Sequence, residues 1–144
     1  MARILGLDHG ERRLGFALSD PTGMLATPLR VVHVTGEGDA LRAVVDVCRE
    51  TGAAALVIGL PRNMNGTLGP AAEKVARFIE RLQGALTIPI HTWDERLSSR
   101  LVERVLIDAD VSRAKRKGVI DKLAAQVILQ AYLDAQSIPD NGGV

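Results

Sequence analysis

The sequence predicts an α/β fold, a mixed five-stranded sheet with helices on both faces. Three observations predict it. Three short aliphatic runs near the start are separated by polar turns, as in antiparallel strand pairs. Two further apolar runs alternate with amphipathic segments, which is how parallel strands are connected. The length, 144 residues, suits one domain, and a chain of this size buries roughly 68–70% of its unfolded surface.

The elements follow in order. Residues 4–7 and 14–18 are the first two strands, joined by a glycine-containing turn. A third strand, 29–34, follows Pro28 and is broken by Gly36-Glu37-Gly38-Asp39. Asp39 is the expected N-cap of a helix over 40–51, with Leu41, Val44, Val45 and Cys48 at helical spacing and Gly52 as its stop. Residues 53–60 form a nearly continuous apolar run, as expected of a strand covered on both faces. A polar loop, 62–70, leads to a helix over 71–82 with Val75, Phe78, Ile79 and Leu82 on one side and Gly84 as its stop. Residues 88–93 are the fifth strand, and 98–107 are helical. Residues 110–118 form a basic loop, and 119–135 are the last helix. The expected domain is 1–138, with 139–144 a frayed tail.

Composition narrows the function classes. Hydrophobic residues make up 47% of the chain and aromatics only 3%, so the core is aliphatic and base stacking is a minor resource. No apolar run approaches the ~20 residues of a membrane span, and the basic-then-apolar pattern of a signal peptide is missing. The one cysteine, Cys48, falls on the apolar side of a helix and reads as a small core residue. These points suggest a cytoplasmic protein with no membrane partner. The net charge of +1 gives no global basic signal, so any polyanion must be met by local clusters.

The chemistry resides in three acidic positions. Asp8 closes the first strand, and a carboxylate there is costly unless a cation meets it. Asp94 and Glu95 follow the fifth strand, and Asp121 opens the last helix. Ligands of open α/β sheets bind beyond the carboxyl ends of the strands, so parallel first, fourth and fifth strands would bring these acids to one edge. Carboxylates from separate elements suit Mg²⁺ or Mn²⁺, and a pair of such ions ~3.5–4 Å apart is the usual arrangement for phosphodiester hydrolysis. Adjacent residues point in different directions, so one of Asp94 and Glu95 is a direct ligand; which one stays open at this point. His9 reads as a surface histidine in a turn. Basic and amide side chains surround these positions: Arg12 and Arg13 in the first turn, Arg62, Asn63 and Asn65 in the loop after strand four, and Arg96 beside Glu95. Arg113, Lys115, Arg116, Lys117 and Lys122 lie beside Asp121. All are candidate contacts for nucleic-acid phosphates, with salt-dependent, sequence-independent affinity.

Four linked segments resemble the YqgF (RuvX) family: Gly6-Leu7-Asp8-His9-Gly10 with Leu14-Gly15-Phe16-Ala17, Gly59-Leu60-Pro61-Arg62-Asn63-Met64-Asn65-Gly66, Asp94-Glu95-Arg96-Leu97-Ser98-Ser99, and Asp121-Lys122-Leu123-Ala124-Ala125. The resemblance runs through almost the whole chain. It implies an RNase H-like fold and metal-dependent phosphodiester hydrolysis, with Asp8, Glu95 and Asp121 as the acidic triad. The family is described both as nucleases processing the 5′ end of pre-16S ribosomal RNA and as Holliday-junction resolvases, which would act as dimers on branched DNA. The expected partner is therefore structured RNA or branched DNA, bound by a monomer or a homodimer. Two other classes stay in view. The first hairpin also resembles the phosphate-binding hairpin of actin-like ATPases, although those proteins bind nucleotide between two such domains. A nucleic-acid-binding module without catalysis is the other.

Overall fold

The computed structural model describes residues 2–63, 65–95 and 113–137, with the side chains of 113–122 and 137 excluded. Five strands, β1 (Ile4–His9), β2 (Arg13–Ser19), β3 (Ala26–His33), β4 (Ala55–Leu60) and β5 (Ile90–Asp94), form one sheet in the order β3-β2-β1-β4-β5. The β1–β2 and β2–β3 pairs are antiparallel, and β1–β4 and β4–β5 are parallel. Helices α1 (Glu37–Thr51) and α2 (Pro70–Ala85) cover one face. Helix α3 (Arg113–Ser137) covers the other. This is the mixed five-stranded sheet that the strand pattern predicts, and the parallel β1, β4 and β5 end on one edge.

The two faces are built from different residues. Leu5, Leu7, Leu14, Phe16, Leu56, Ile58 and Leu60 point toward α1 and α2 and pack with Val44, Val75, Phe78 and Leu82. The alternate positions toward α3 are small: Gly6 and Gly15 by strand alternation, Ala17 and Val57 in the α3 core. Small residues let the α3 backbone approach the sheet closely. A Cβ built on Gly6 would lie 2.8 Å from Leu129 Cβ and 3.2 Å from the Ala125 carbonyl oxygen. Neither atom is the free end of a flexible chain, so the helix itself must move. Gly6→Ala is therefore expected to cost about 1–3 kcal/mol in urea unfolding, and an unchanged midpoint would disprove this close packing.

Polar side chains fix the tilt of α3 across the sheet. Gln130 Oε1 accepts from the Ala26 N–H (2.9 Å), and its Nε2 donates to the Met24 carbonyl (2.9 Å). Gln126 Nε2 donates to the Ala26 carbonyl (3.1 Å). Helix α3 thus spans from the start of β3 to β4, where Ile128 lies over Gly59.

Several boundaries differ from expectation for local reasons. β3 begins before Pro28 instead of after it. The strand is at the sheet edge, and its register shifts beside the proline, so the missing N–H costs no ladder bond. Helix α1 starts at Glu37, and Asp39 is inside its first turn, accepting the Thr35 N–H (2.9 Å) instead of capping the helix. Gly52 does end α1, with a left-handed φ of 63°. Gly84 does not stop α2, which runs to Ala85. The expected basic loop is helical from Arg113 onward, so Asp121 lies two turns inside α3 instead of opening it. The expected helix over 98–107 and the tail 139–144 lie outside the described residues. Cys48 is buried in the α1 core as expected, and burial pushes its thiol pKa up to about 11. Among the described residues, no helix is long and apolar enough to cross a membrane.

Candidate active site

Asp8 sits near the end of β1, on the face toward α3, opposite Gly15 of β2. It stays in the strand because β1 extends to His9, beyond the apolar residues that mark it in the sequence. The parallel register brings Leu7 beside Ile58, and Leu60 beside Asp94. The ends of β1, β4 and β5 are therefore level. Glu95, the residue after β5, turns back over the sheet and forms a side-chain hydrogen bond with Asp8.

Gly59 makes that turn possible. A Cβ there would lie 2.5 Å from Glu95 Oε1, 2.7 Å from Glu95 Cγ and 2.6 Å from Ile128 Cδ1. The carboxyl group of Glu95 occupies the space that a side chain on β4 would fill. Burial, the hydrogen bond to Asp8, and the negative charges of Asp8 and Asp94 together push the Glu95 pKa far above the ordinary carboxylate range. The Asp8–Glu95 pair therefore retains a proton at neutral pH. Two carboxyl groups that cannot both ionise alone make a site that a hard cation would complete, since Mg²⁺ is held by one or two carboxylates and keeps several waters.

Among the described residues no group of three acidic, imidazole or thiol side chains converges. Asp8 and Glu95 are the pair in contact. Asp94, the last residue of β5, is near enough for its charge to act on Glu95. The third expected acid, Asp121, lies one helical turn before Ala125, the residue whose carbonyl lies against Gly6. Its side chain is outside the described residues.

The other expected residues divide. Arg12 and Arg13 are exposed and, with Asp8, Gly10 and Gly15, line a groove of about 200 Å³. The loop after β4 is held by its own side chains. Arg62 Nη1 donates to the Gly66 carbonyl (3.0 Å), and Asn63 Nδ2 donates to Thr67 Oγ1 (3.1 Å). Asn65 Oδ1 accepts from the Thr67 N–H (3.1 Å) and hydroxyl (2.6 Å). Arg96 and the side chains of Arg113, Lys115, Arg116, Lys117 and Lys122 lie outside the described residues. His9 is half-buried instead of being a surface turn residue. It points to the face opposite Asp8, where its ring lies 4.5 Å from that of Phe78, and burial lowers its pKa.

Gly59 opens one of the segments that carry the family resemblance, but its role as the space for the Glu95 carboxyl group, like the cavity behind His9, has no signal in the sequence beyond a glycine where a doubly covered strand would carry a branched residue.

Known proteins resemble this chain in sequence or in fold. A Pelotomaculum thermopropionicum protein named "Putative pre-16S rRNA nuclease" is 48% identical over 138 residues, covering 95% of this chain and 90% of its own. A Symbiobacterium thermophilum protein of the same name is 51% identical over 135 residues, covering 94% of each chain. Among solved structures, T. thermophilus RuvC in complex with a Holliday junction substrate superposes with a TM-score of 0.60 at 16% identity, over 94% of this chain and 96% of that one. The fowlpox virus Holliday junction resolvase gives a TM-score of 0.55 at 13% identity, over 92% of this chain and 99% of that one. At such identities the two structures speak for the fold, which is that of RuvC. A family model described as "RuvX: Holliday junction resolvase" matches residues 2–135, and with relatives of this similarity along nearly its whole length, the chain belongs to the RuvX family.

Proposed function

We propose that this chain is a divalent-metal-dependent nuclease that cleaves phosphodiester bonds at the 5′ end of pre-16S ribosomal RNA in the cytoplasm. The observation that carries the reading is the Asp8–Glu95 carboxyl pair at the level ends of β1 and β5. The names of the curated relatives support the substrate. Asp8 and Glu95 would hold the cation, Mg²⁺ or Mn²⁺, with Asp121 as the third donor and Asp94 beside them. A divalent ion held there supplies neutralisation of the phosphate oxygens and activation of the attacking water. Arg12 and Arg13, exposed along the same groove, would pair with the phosphates flanking the cut. Asp8 and Glu95 would fix the position of the cation by being held themselves, Asp8 in the sheet ladder and Glu95 against Gly59.

The direct test is cleavage of a pre-16S RNA 5′ segment and of a four-way DNA junction, each with Mg²⁺ and Mn²⁺. Cleavage of the RNA alone is expected. Cleavage of the junction alone would move the assignment to branched DNA, and cleavage of neither would overturn it. A second consequence comes from the retained proton. Because the Asp8–Glu95 pair holds a proton above the ordinary carboxylate range, Mn²⁺ binding should release protons, and its affinity should rise with pH. Titration calorimetry in two buffers of different ionisation enthalpy reads this directly. Identical heats in both would show that Glu95 does not ionise on binding.

A further inference from the structure

A second depression lies on the other side of the β1–β2 turn from Asp8, and the carboxyl pair makes no use of it. It has a volume of about 270 Å³ and is walled by His9, Glu11, Glu37, Lys74, Arg77 and Phe78. Gly10 and Glu11 line both this cavity and the groove holding Asp8, Arg12 and Arg13, so the two meet at the hairpin turn.

The lining carries two acids, Glu11 and Glu37, and two bases, Lys74 and Arg77, and Arg81 outside it pairs with one of the acids. Lys74 Nζ is 2.8 Å from Glu11 Oε1, and Arg81 Nε is 3.6 Å from Glu37 Oε1, so both acids are matched. Arg77 has no ion-pair partner among the described residues. Arg77 is therefore the lining cation left outside an ion pair, because its neighbouring acid Glu37 is taken up by Arg81 from outside the cavity. Its planar fork suits a phosphate, which carries one charge in a phosphodiester. The two rings at the cavity wall, His9 and Phe78, pack against each other instead of standing apart to receive a base.

We propose that this cavity takes a backbone phosphate of the same nucleic-acid strand that is cut at the Asp8–Glu95 groove, with Arg77 as the residue that contacts it. The inference rests on the nuclease reading above. The strand would leave the groove, cross the Gly10–Arg12 turn beside Arg12 and Arg13, and reach Arg77 on α2. Arg77 looks like any exposed helical cation in the sequence; its position behind the first hairpin is a product of the fold.

The test uses the full chain in an Asp8→Asn background, which leaves the strand intact. A fluorescent single-stranded RNA of roughly 16 nucleotides is titrated by anisotropy at several salt concentrations. Adding Arg77→Ala is expected to weaken binding roughly five- to tenfold at about 50 mM salt and to lower the salt slope by about 0.7, the value for one phosphate contact on a single strand. Arg77→Lys should recover part of the loss. Arg49→Ala, which removes the same charge beside Cys48 and Leu86 at the far end of α1, should change neither quantity. Arg77→Ala and Arg77→Glu binding like the parent, with the same slope, would overturn the proposal. If the chain with Asp8 intact still cleaves pre-16S RNA, that result removes only this phosphate site. If it cleaves nothing, the nuclease reading falls and this inference with it.

Discussion

Asp8→Asn is expected to reduce phosphodiester cleavage at least a hundredfold while making the metal-free protein more stable. The two effects have one cause. Asp8 and Glu95 are in hydrogen-bond contact, and burial and mutual repulsion drive Glu95 to keep its proton. Asparagine preserves the shape and an acceptor oxygen but removes the charge, so Glu95 is no longer forced to hold a proton beside a carboxylate. Relief on the order of 1 kcal/mol corresponds to roughly 2–4 °C for a chain of this size. The pH dependence follows from the direction of the shift. Glu95 has a folded pKa above its unfolded value, so its contribution is fully present below the ordinary carboxylate range and is lost as pH rises toward the folded value. The stability gap between variant and parent should therefore open on the alkaline side and close in acid. Mn²⁺ should reverse the order by stabilising the parent alone, because a ligand that binds only the native state raises its stability by mass action. Melting curves in EDTA and in Mn²⁺, beside a cleavage assay, decide the matter. Full activity, or a lower melting temperature than the parent in EDTA at pH 8, would refute the account.

Gly59→Ala should disable the enzyme more than it unfolds it. The new methyl would lie 2.5–2.7 Å from Glu95 Oε1 and Cγ and 2.6 Å from Ile128 Cδ1. Ile128 is packed in the α3 core, whereas Glu95 stands at the edge of the sheet and is the easier group to displace. A shift of about 1 Å in a catalytic group can cost ~100-fold in rate, while overpacking of this kind costs about 1–3 kcal/mol. The expected result is a kcat near one-hundredth of the parent's with a folded, moderately destabilised protein. Combining Gly59→Ala with Ile128→Val separates the two clashes. Thermal stability should recover in part, and activity should not. Recovery of both would mean that the α3 contact, and not Glu95, limits the variant.

Much of the architecture was legible because it depends on short-range rules. The alternation Leu5-Gly6-Leu7-Asp8 and Leu14-Gly15-Phe16-Ala17 already separates a large-residue face from a small-residue face, and period two in a strand leaves no other outcome. Gly52 ends α1 because a left-handed residue is needed there. Errors arose where tertiary contacts override local preference. Pro28 is tolerated inside β3 because that strand is an edge, and Asp39 serves Thr35 instead of capping α1. His9 looked like a turn residue until β1 was seen to extend through it and Phe78 to cover it.

By itself the sequence determined the sheet's composition and the identity of the acids at the strand ends, since both depend on residue type and on spacing along one chain. The contact between Asp8 and Glu95, 87 positions apart, was decided only in three dimensions. It depends on the level register of β1, β4 and β5, on the glycine at position 59 that leaves room for a carboxyl group, and on the helix that Gln126 and Gln130 hold across the sheet. Register and close approach are properties of pairs of distant segments, and no local pattern encodes the distance between them.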